Sequence, residues 1–339
     1  MPANSYLLGN AYDAATLISY VNRIPHRPMK LLNSGIFRPR KSRTVSVIYE
    51  ERNGQLRLIT SQERGGPPNV HTSGKRVRRS FAIPHFPLDD RVGAADIQDL
   101  IAFGEDAVLA ALEPEVLTKL EDMTADHWAT REWLMATALR GTVLDGDGST
   151  ELFDLFTLFG VSETTVDFPL SSGGGDLKGP AADVVRHFRD NVKGDAFDGG
   201  LAFCSDGWWD DFVSHPQVEE AYRFYQAVGN PNRESVRGGF EWQDITWINY
   251  GDTIPNSAGT SQKLIPADTV RFIPRGTQRM FEIVDGPPDT LRNVNREPDD
   301  IFDVATELED FQKGIKIHTE QNSFAICLQP ANLVKGTKS

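Results

Sequence analysis

Three features of the sequence predict an α+β fold. Residues 44–60 alternate with a period of two about an Asn-Gly turn, the signature of a β-hairpin. Between Pro114 and Gly141 there is no Gly or Pro, and Leu117, Leu120, Trp128, Met135 and Ala138 keep near-heptad spacing along one helical face. The last segment, Ile315 to Leu333, returns to alternation.

In chain order, residues 10–24 read as a short amphipathic helix. Asn10 caps it, Leu17, Ile18 and Val21 share a face, and Pro25 and Pro28 end it. A Pro- and Arg-rich connector runs from His26 to Arg43. Val45, Val47 and Tyr49 then alternate with Thr44, Ser46 and Ile48. Arg52-Asn53-Gly54 turns, since Asn-Gly accepts positive φ, and Leu56, Leu58 and Thr60 form a return strand. Ser61 to Lys75 is Gly-, Pro- and polar-rich and reads as an exposed, mobile loop. Val77 to Ile83 runs back as a strand with Arg76, Arg78 and Arg79. The span 43–88 is therefore a long basic β-excursion that buries little alone and needs a neighbour to lie on.

Pro114 opens the long helix and Gly141 closes it, the usual asymmetry of helix ends. At 1.5 Å per residue it spans roughly 40 Å, a structural spine. Residues 141–160 read as strand, turn and strand around Asp145-Gly146-Asp147-Gly148. Helices follow at Pro180–Val192 and Pro216–Val228, then strands at Phe240–Trp247 and Thr269–Ile273.

No segment approaches 18 uninterrupted apolar residues, so a membrane span is not expected. The first residues, Met1 to Tyr6, lack the basic start and apolar run of a signal peptide, so a cytosolic product is expected. Cys204 and Cys327 show no framework spacing and read as two small buried hydrophobes. The net charge is −13, and it is unevenly spread. Residues 1–80 hold 14 Lys+Arg and 4 Asp+Glu; residues 81–339 hold 21 and 44. A +10 segment on a −23 body points to nucleic acid or to an acidic protein surface, which copies of the same chain would supply. Residues 23–79 carry few aromatics and no nucleic-acid motif. Three readings stay open for them: subunit–subunit contact, which the charge pattern favours, DNA contact and a solvated face.

The motifs of catalysis and ligand binding give way to blander readings. Asp145-Gly-Asp147-Gly-Ser149-Thr150 begins like a calcium loop, but Thr150 stands where Gly is needed and Phe156 where Glu is needed, so it is a tight turn. Ser171 to Gly175 lacks the Gly-Lys-Ser/Thr of a phosphate loop. No two His sit at i, i+4 for a metal, and no Gly-x-Ser-x-Gly elbow is present. Asp206-Gly-Trp-Trp-Asp-Asp-Phe212 could stack a sugar or base, but it lacks the accompanying cations and reads as a packing anchor. No catalytic residue, cofactor or metal is expected.

Several stretches, in order, resemble the major capsid protein E family of lambda-like tailed bacteriophages. They are Thr44-Val-Ser-Val-Ile-Tyr-Glu-Glu-Arg-Asn-Gly-Gln-Leu-Arg-Leu-Ile-Thr60, Ser80-Phe-Ala-Ile-Pro-His-Phe-Pro-Leu-Asp-Asp90 and Asp96-Ile-Gln-Asp-Leu-Ile-Ala-Phe-Gly104. Gly141-Thr-Val-Leu-Asp-Gly-Asp-Gly-Ser-Thr150 follows with Leu152-Phe-Asp-Leu-Phe156, and then Gln321-Asn-Ser-Phe-Ala-Ile-Cys-Leu-Gln-Pro330. Each is weak alone, and their colinear order carries the resemblance across nearly the whole chain.

The resemblance implies the Hong Kong 97-type capsid fold. Its parts would be an N-terminal arm (1–42), an extended E-loop (43–88) and a peripheral domain (89–160) with the spine helix at 114–140. An axial domain (161–301) and C-terminal strands (302–339) completing the peripheral domain would follow. It implies a virion shell protein made in the host cytoplasm that assembles into hexamers and pentamers around double-stranded DNA; the acidic balance of the chain adds the expectation that it touches that DNA weakly and non-specifically. About 42 residues precede the E-loop, so a separate scaffolding protein is expected, with a portal; a decoration protein, used by lambda-like relatives, is left open. Some relatives crosslink an E-loop Lys to a neighbour's Asn; Lys75 is the one Lys between residues 42 and 118 and no matching motif surrounds it, so crosslinking is not expected. Inter-subunit contact is expected at Arg38, Arg40, Arg64, Lys75, Arg76, Arg78 and Arg79.

Overall fold

The run from Ala107 to Leu139 holds no Gly and is rich in Ala, Leu, Glu and Met, which are strong helix formers. The computed structural model describes residues 14–23, 29–52, 76–97, 107–171, 174–192, 195–221 and 239–339. It folds the whole run into one helix, α4 (Ala107–Leu139), about 50 Å long. The expected start at Pro114 is thus corrected, because Pro114 lies inside the helix. An interior Pro forfeits one backbone hydrogen bond and crowds the preceding turn, at a cost of about 3 kcal/mol. The Ala- and Leu-rich turns before it, with Leu112 buried, keep the helix continuous. Gly141, at φ 82°, ends it as expected; a Cβ there would fall 2.2 Å from the Phe156 ring.

Burial changes along this helix. Val116, Leu120, Met123 and His127 are buried on one face, at i, i+4, i+7 and i+11. The apolar ones share a core with Leu17 and Val21 of α1 (Ala14–Val21) and with Val92, Phe302, Val304, Ile315 and Ile317. From Arg131 to Leu139 every residue is buried, so the last turns are enclosed on all sides.

The amphipathic part of α4 faces an antiparallel sheet of β4 (Phe86–Gly93), β15 (Asp303–Leu308) and β16 (Gly314–Gln321), in the order β15-β16-β4. Because Phe86 already pairs with Gln321, the excursion expected to end at residue 88 gives way to body structure at Phe86. A short α3 (Ala94–Ile97) follows β4. The enclosed part of α4 meets a second sheet, in which β14 (Phe281–Asp285) pairs parallel with β1 (Arg38–Lys41) and antiparallel with β17 (Ser323–Cys327). It also meets α2 (Lys30–Ser34) and the hairpin β5 (Thr142–Leu144)–β6 (Glu151–Asp154). In that hairpin Asp147 Oδ1 accepts from the backbone N–H of Ser149 and Thr150 at 2.8 Å, so the calcium-like stretch is a turn that caps itself. The Asp154 side chain then caps α5 (Leu155–Phe159).

A six-stranded mixed sheet forms the other unit, in the order β7-β18-β13-β8-β10-β9. Its strands are β7 (Thr164–Phe168), β8 (Gly200–Cys204), β9 (Phe240–Trp242), β10 (Ile245–Asn249), β13 (Thr269–Pro274) and β18 (Val334–Lys338). Helices α6 (Lys178–Asn191) and α7 (Asp206–Ser214) cover one face, burying Val184 and Phe188 and Trp208 and Phe212 against Ala202, Trp247 and Phe272. Phe203 and Ile273, on the opposite face, join the core around α4. A ribbon of β11 (Thr253–Pro255) and β12 (Ser261–Lys263) follows β10. The single strand expected over Phe240–Trp247 is two, because Gln243 (φ 54°) and Asp244 (φ 59°) make a two-residue turn with both φ positive.

The C-terminal strands divide. β15, β16 and β17 stand with the long helix, but β18 inserts between β7 and β13 of the six-stranded sheet. The expectation that all of 302–339 completes the helix-bearing unit is corrected there. β18 fills a gap between β7, its parallel partner, and β13, its antiparallel one, which would otherwise leave two open edges. Gly336 permits the fit, since a Cβ there would meet Val270 Cγ1 at 2.2 Å. Residues 216–221 are helical, and the rest of the expected 216–228 helix lies outside the described residues. So do the expected return strand 56–60 and the loop to Lys75.

His127 couples α4 to the β4–β16 sheet. The Thr319 hydroxyl lies 3.3 Å from the Leu88 carbonyl, to which it donates, so it accepts from His127 Nε2–H at 2.9 Å. Burial, aided by the nearby His318, lowers the His127 pKa from 6.5 to about 4. Between those values the unfolded chain holds a proton the folded one excludes, so stability falls as pH drops from 6.5 to 4. The full loss is about 3 kcal/mol. Urea titrations of the subunit across that window should show this slope in the wild type and a flatter one in His127→Gln.

Candidate assembly interface

The basic excursion begins and ends as a two-stranded ribbon. β2 (Ser46–Arg52) pairs antiparallel with β3 (Arg76–Ala82), Val47 opposite Phe81, Tyr49 opposite Arg79 and Glu51 opposite Val77. Val47, Phe81, Tyr49, Arg79 and Val77 share one face because side chains alternate along a strand. Burial fades along it. Val47 and Phe81 are 3% and 1% exposed, Tyr49 and Arg79 are half-buried, and Val77 is 41% exposed. The ribbon is seated at its base and leaves the body as it extends. The other face shows Ile48 to solvent at 63% exposure, and Val45, just before β2, is 71% exposed. Isolated two-stranded ribbons are marginal in water, so this half-seated one is built to be covered.

The seat is aromatic. The Phe81 ring centroid lies 5.5 Å from that of Phe324, 5.8 Å from Phe153 and 5.8 Å from Tyr49. Tyr49 Oη donates to Glu282 Oε2 at 2.9 Å, and Arg40 reaches the same oxygen at 3.5 Å while its guanidinium stands 5.3 Å from the Tyr49 centroid. Burial and the Glu282 carboxylate push the Tyr49 phenol well above its ordinary pKa, so it stays a donor.

The seven expected contact residues divide by partner. Arg40 is spent on Glu282 and Tyr49. Arg79 Nε donates to the Leu158 carbonyl at 2.8 Å, and its guanidinium lies 4.8 Å from the Phe159 centroid. Both anchor the ribbon to its own chain. Arg78 points outward and faces Glu50 across the ladder at 3.4 Å. Arg38 is exposed on β1, in a strand whose four residues are all exposed. Arg76 lies on β3, and Arg64 and Lys75 lie outside the described residues. Arg43, unremarked in the sequence, pairs with Glu297 at 3.2 Å. Tyr49 and Phe81 were findable, since they occupy the apolar parity of the alternation; Glu282 carries no local signal.

The other motifs fall in cores. Trp208 and Phe212 of the Asp206–Phe212 cluster are fully buried and Trp209 nearly so, with Trp208 stacked on Trp247 at 5.5 Å. A buried stack offers no platform to a sugar or base. Cys204 and Cys327 are buried free thiols. Among the described residues, no group of three or more His, Cys, Asp or Glu could hold a metal, and no helix is long and apolar enough to cross a membrane.

A sequence model described as phage major capsid protein E matches residues 13–338. A major capsid protein of Pseudomonas phage KPP10 is 29% identical over 323 residues, covering 89% of this chain and 90% of that protein. Among solved structures, a putative capsid protein of an E. coli CFT073 prophage superposes with TM-score 0.51 at 12% identity, covering 99% of this chain and 97% of that one. The capsid of cyanophage A-1(L) does so with TM-score 0.51 at 10% identity, covering 98% of each chain. The architecture is therefore the Hong Kong 97-type α+β fold.

Phe81→Ala should unseat the ribbon, since truncating a fully buried Phe costs about 3–5 kcal/mol. Limited trypsin digestion of the folded subunit should then cleave at Arg78 and Arg79 faster than in the wild type, while cleavage elsewhere is unchanged.

Proposed function

The chain belongs to the phage major capsid protein E family, whose members are structural shell proteins rather than enzymes, and we propose that its basic ribbon joins copies into the hexamers and pentamers of an icosahedral shell around double-stranded DNA. One observation carries the proposal: a ribbon seated only at its base, apolar and basic outward, projects from an acidic body. Residues 161–301 alone hold 13 Lys+Arg against 23 Asp+Glu, a net −10 for the ribbon to lie on. In this reading the arm is 1–42, the E-loop runs from 43 to the start of β4, and α4 with β4, β15, β16 and β17 forms the peripheral domain. The six-stranded sheet, completed by β18, forms the axial domain. A scaffolding protein, a portal and the packaged DNA are the further partners.

Exposed ion pairs contribute only about 0–1 kcal/mol each. Covering Ile48 and Val45 adds about 1.5–3 kcal/mol for each side chain fully buried. Many weak contacts summed over a shell give stability, and each is weak enough for a misplaced subunit to leave. With Arg40, Arg43 and Arg79 held by their own chain, fewer cations remain for phosphates than composition alone indicates. Particle assembly with Arg76 and Arg78 reversed to Glu is the test. Particle yield should fall sharply while subunit stability holds, and normal particles at normal yield would contradict the proposal.

A further inference from the structure

Three cations meet where the long helix ends on the six-stranded sheet. Arg271 of β13 and Lys335 of β18 stand directly opposite each other in the ladder, on the face turned away from α6 and α7. Opposed side chains have their Cβ atoms about 5 Å apart, and like charges so placed repel. Arg140, the residue after α4, is close enough to Arg271 to be repelled by it as well. Its guanidinium lies 5.9 Å from the Trp133 ring centroid. Burial and the neighbouring Arg271 lower the Arg140 pKa to about 10.

Little around them offsets this charge. Arg271 is 6% exposed; its Nη1 pairs with Glu163 Oε1 at 2.5 Å, and its buried Nε–H has no acceptor among the described residues. Neither Arg140 nor Lys335 makes an ion pair among the described residues. The next carboxylate along this face, Asp167, accepts from the Thr337 hydroxyl at 3.1 Å. Three cations and the paired Glu163 leave an excess of positive charge in a half-buried corner, where solvent screens it least.

We propose that this corner binds a small tetrahedral oxyanion of the phosphate class, held by Arg140 and Lys335 in the field of Arg271. Guanidinium and ammonium donors around one anion make charge-assisted hydrogen bonds and relieve the repulsion among themselves. The anion ties the end of α4 to β13 and β18, and so joins the helix-bearing unit to the six-stranded sheet. Glu163 competes with it for Arg271. A phosphodiester carries the same oxygens, but the corner is a closed junction of a helix end and a sheet rather than an extended basic stripe, which favours a free ion over a DNA backbone. The site is complete within one chain and does not depend on the shell reading.

Calorimetric titration of inorganic phosphate into the folded, unassembled chain is the test, with chloride holding the ionic strength constant. One saturable phosphate per chain is expected. Lys335→Gln and Arg140→Gln should each weaken binding about ten-fold or more, the loss of one hydrogen bond to a charged group. Glu163→Gln should tighten it roughly two- to five-fold, because a competing carboxylate is removed. Lys335→Gln breaks no ion pair of the folded chain and should melt at the wild-type temperature without phosphate, which separates lost binding from lost fold. No saturable uptake by the wild type, or an affinity that Lys335→Gln and Arg140→Gln leave unchanged, would overturn the site. Displacement of the phosphate by a short DNA duplex at equal phosphate concentration would assign the corner to a nucleic-acid backbone and overturn the free-anion proposal; a duplex that leaves the phosphate bound supports it.

Discussion

Two adjacent buried side chains on the long helix hold the subunit's parts together. Consecutive helical residues point about 100° apart, so Arg131 and Glu132 serve different neighbours. Arg131 makes a bidentate pair with Asp285, at 2.5 and 3.2 Å, and donates to Ser323 Oγ at 2.8 Å, fixing α4 to β14 and β17. Glu132 accepts from the Leu31 and Leu32 N–H groups at 2.9 and 3.0 Å and from the Tyr250 hydroxyl. It thereby caps α2 from outside and ties the helix to the chain leaving β10. Burial and Glu132 push the Tyr250 phenol far above its ordinary pKa, which keeps its proton in place. Removing one partner of such a buried pair costs about 3–5 kcal/mol, because the other is left charged and alone.

The ribbon depends on this junction. Ser42 N–H donates to the Asp285 carbonyl at 2.8 Å, so the residue that receives Arg131 also positions the chain entering β2. Glu282, three residues earlier on β14, receives Tyr49 and Arg40. One strand thus carries both the helix pair and the ribbon's seat. The long helix and the ribbon's seat share β14, and the ribbon is the part that touches other copies in the proposed shell.

What the sequence reveals follows from range. β2 and β3 are legible because the period of two is local, and Gly141 because the left-handed turn that ends the helix demands it. The buried fate of Trp208 is legible because its cluster lacks cations. The start of α4 is not, since Pro114 looks like an N-terminus and only the helix formers before it say otherwise. The place of β18 is invisible in Val334-Lys-Gly-Thr-Lys338, because strand pairing across more than 160 residues leaves no local mark. The ribbon's basic residues look alike in composition. Only the fold separates Arg40 and Arg79, held by Glu282 and the Leu158 carbonyl, from Arg38 and Arg78 facing outward.

Electron cryomicroscopy of particles assembled from the purified protein locates the ribbon directly. Closed shells in which residues 46–82 lie across an acidic surface of an adjacent copy, with Ile48 covered and Phe81 still seated on its own Phe324, are the predicted result. A protein that stays a discrete monomer, or shells in which the ribbon folds back on its own subunit and leaves Ile48 in solvent, would contradict it.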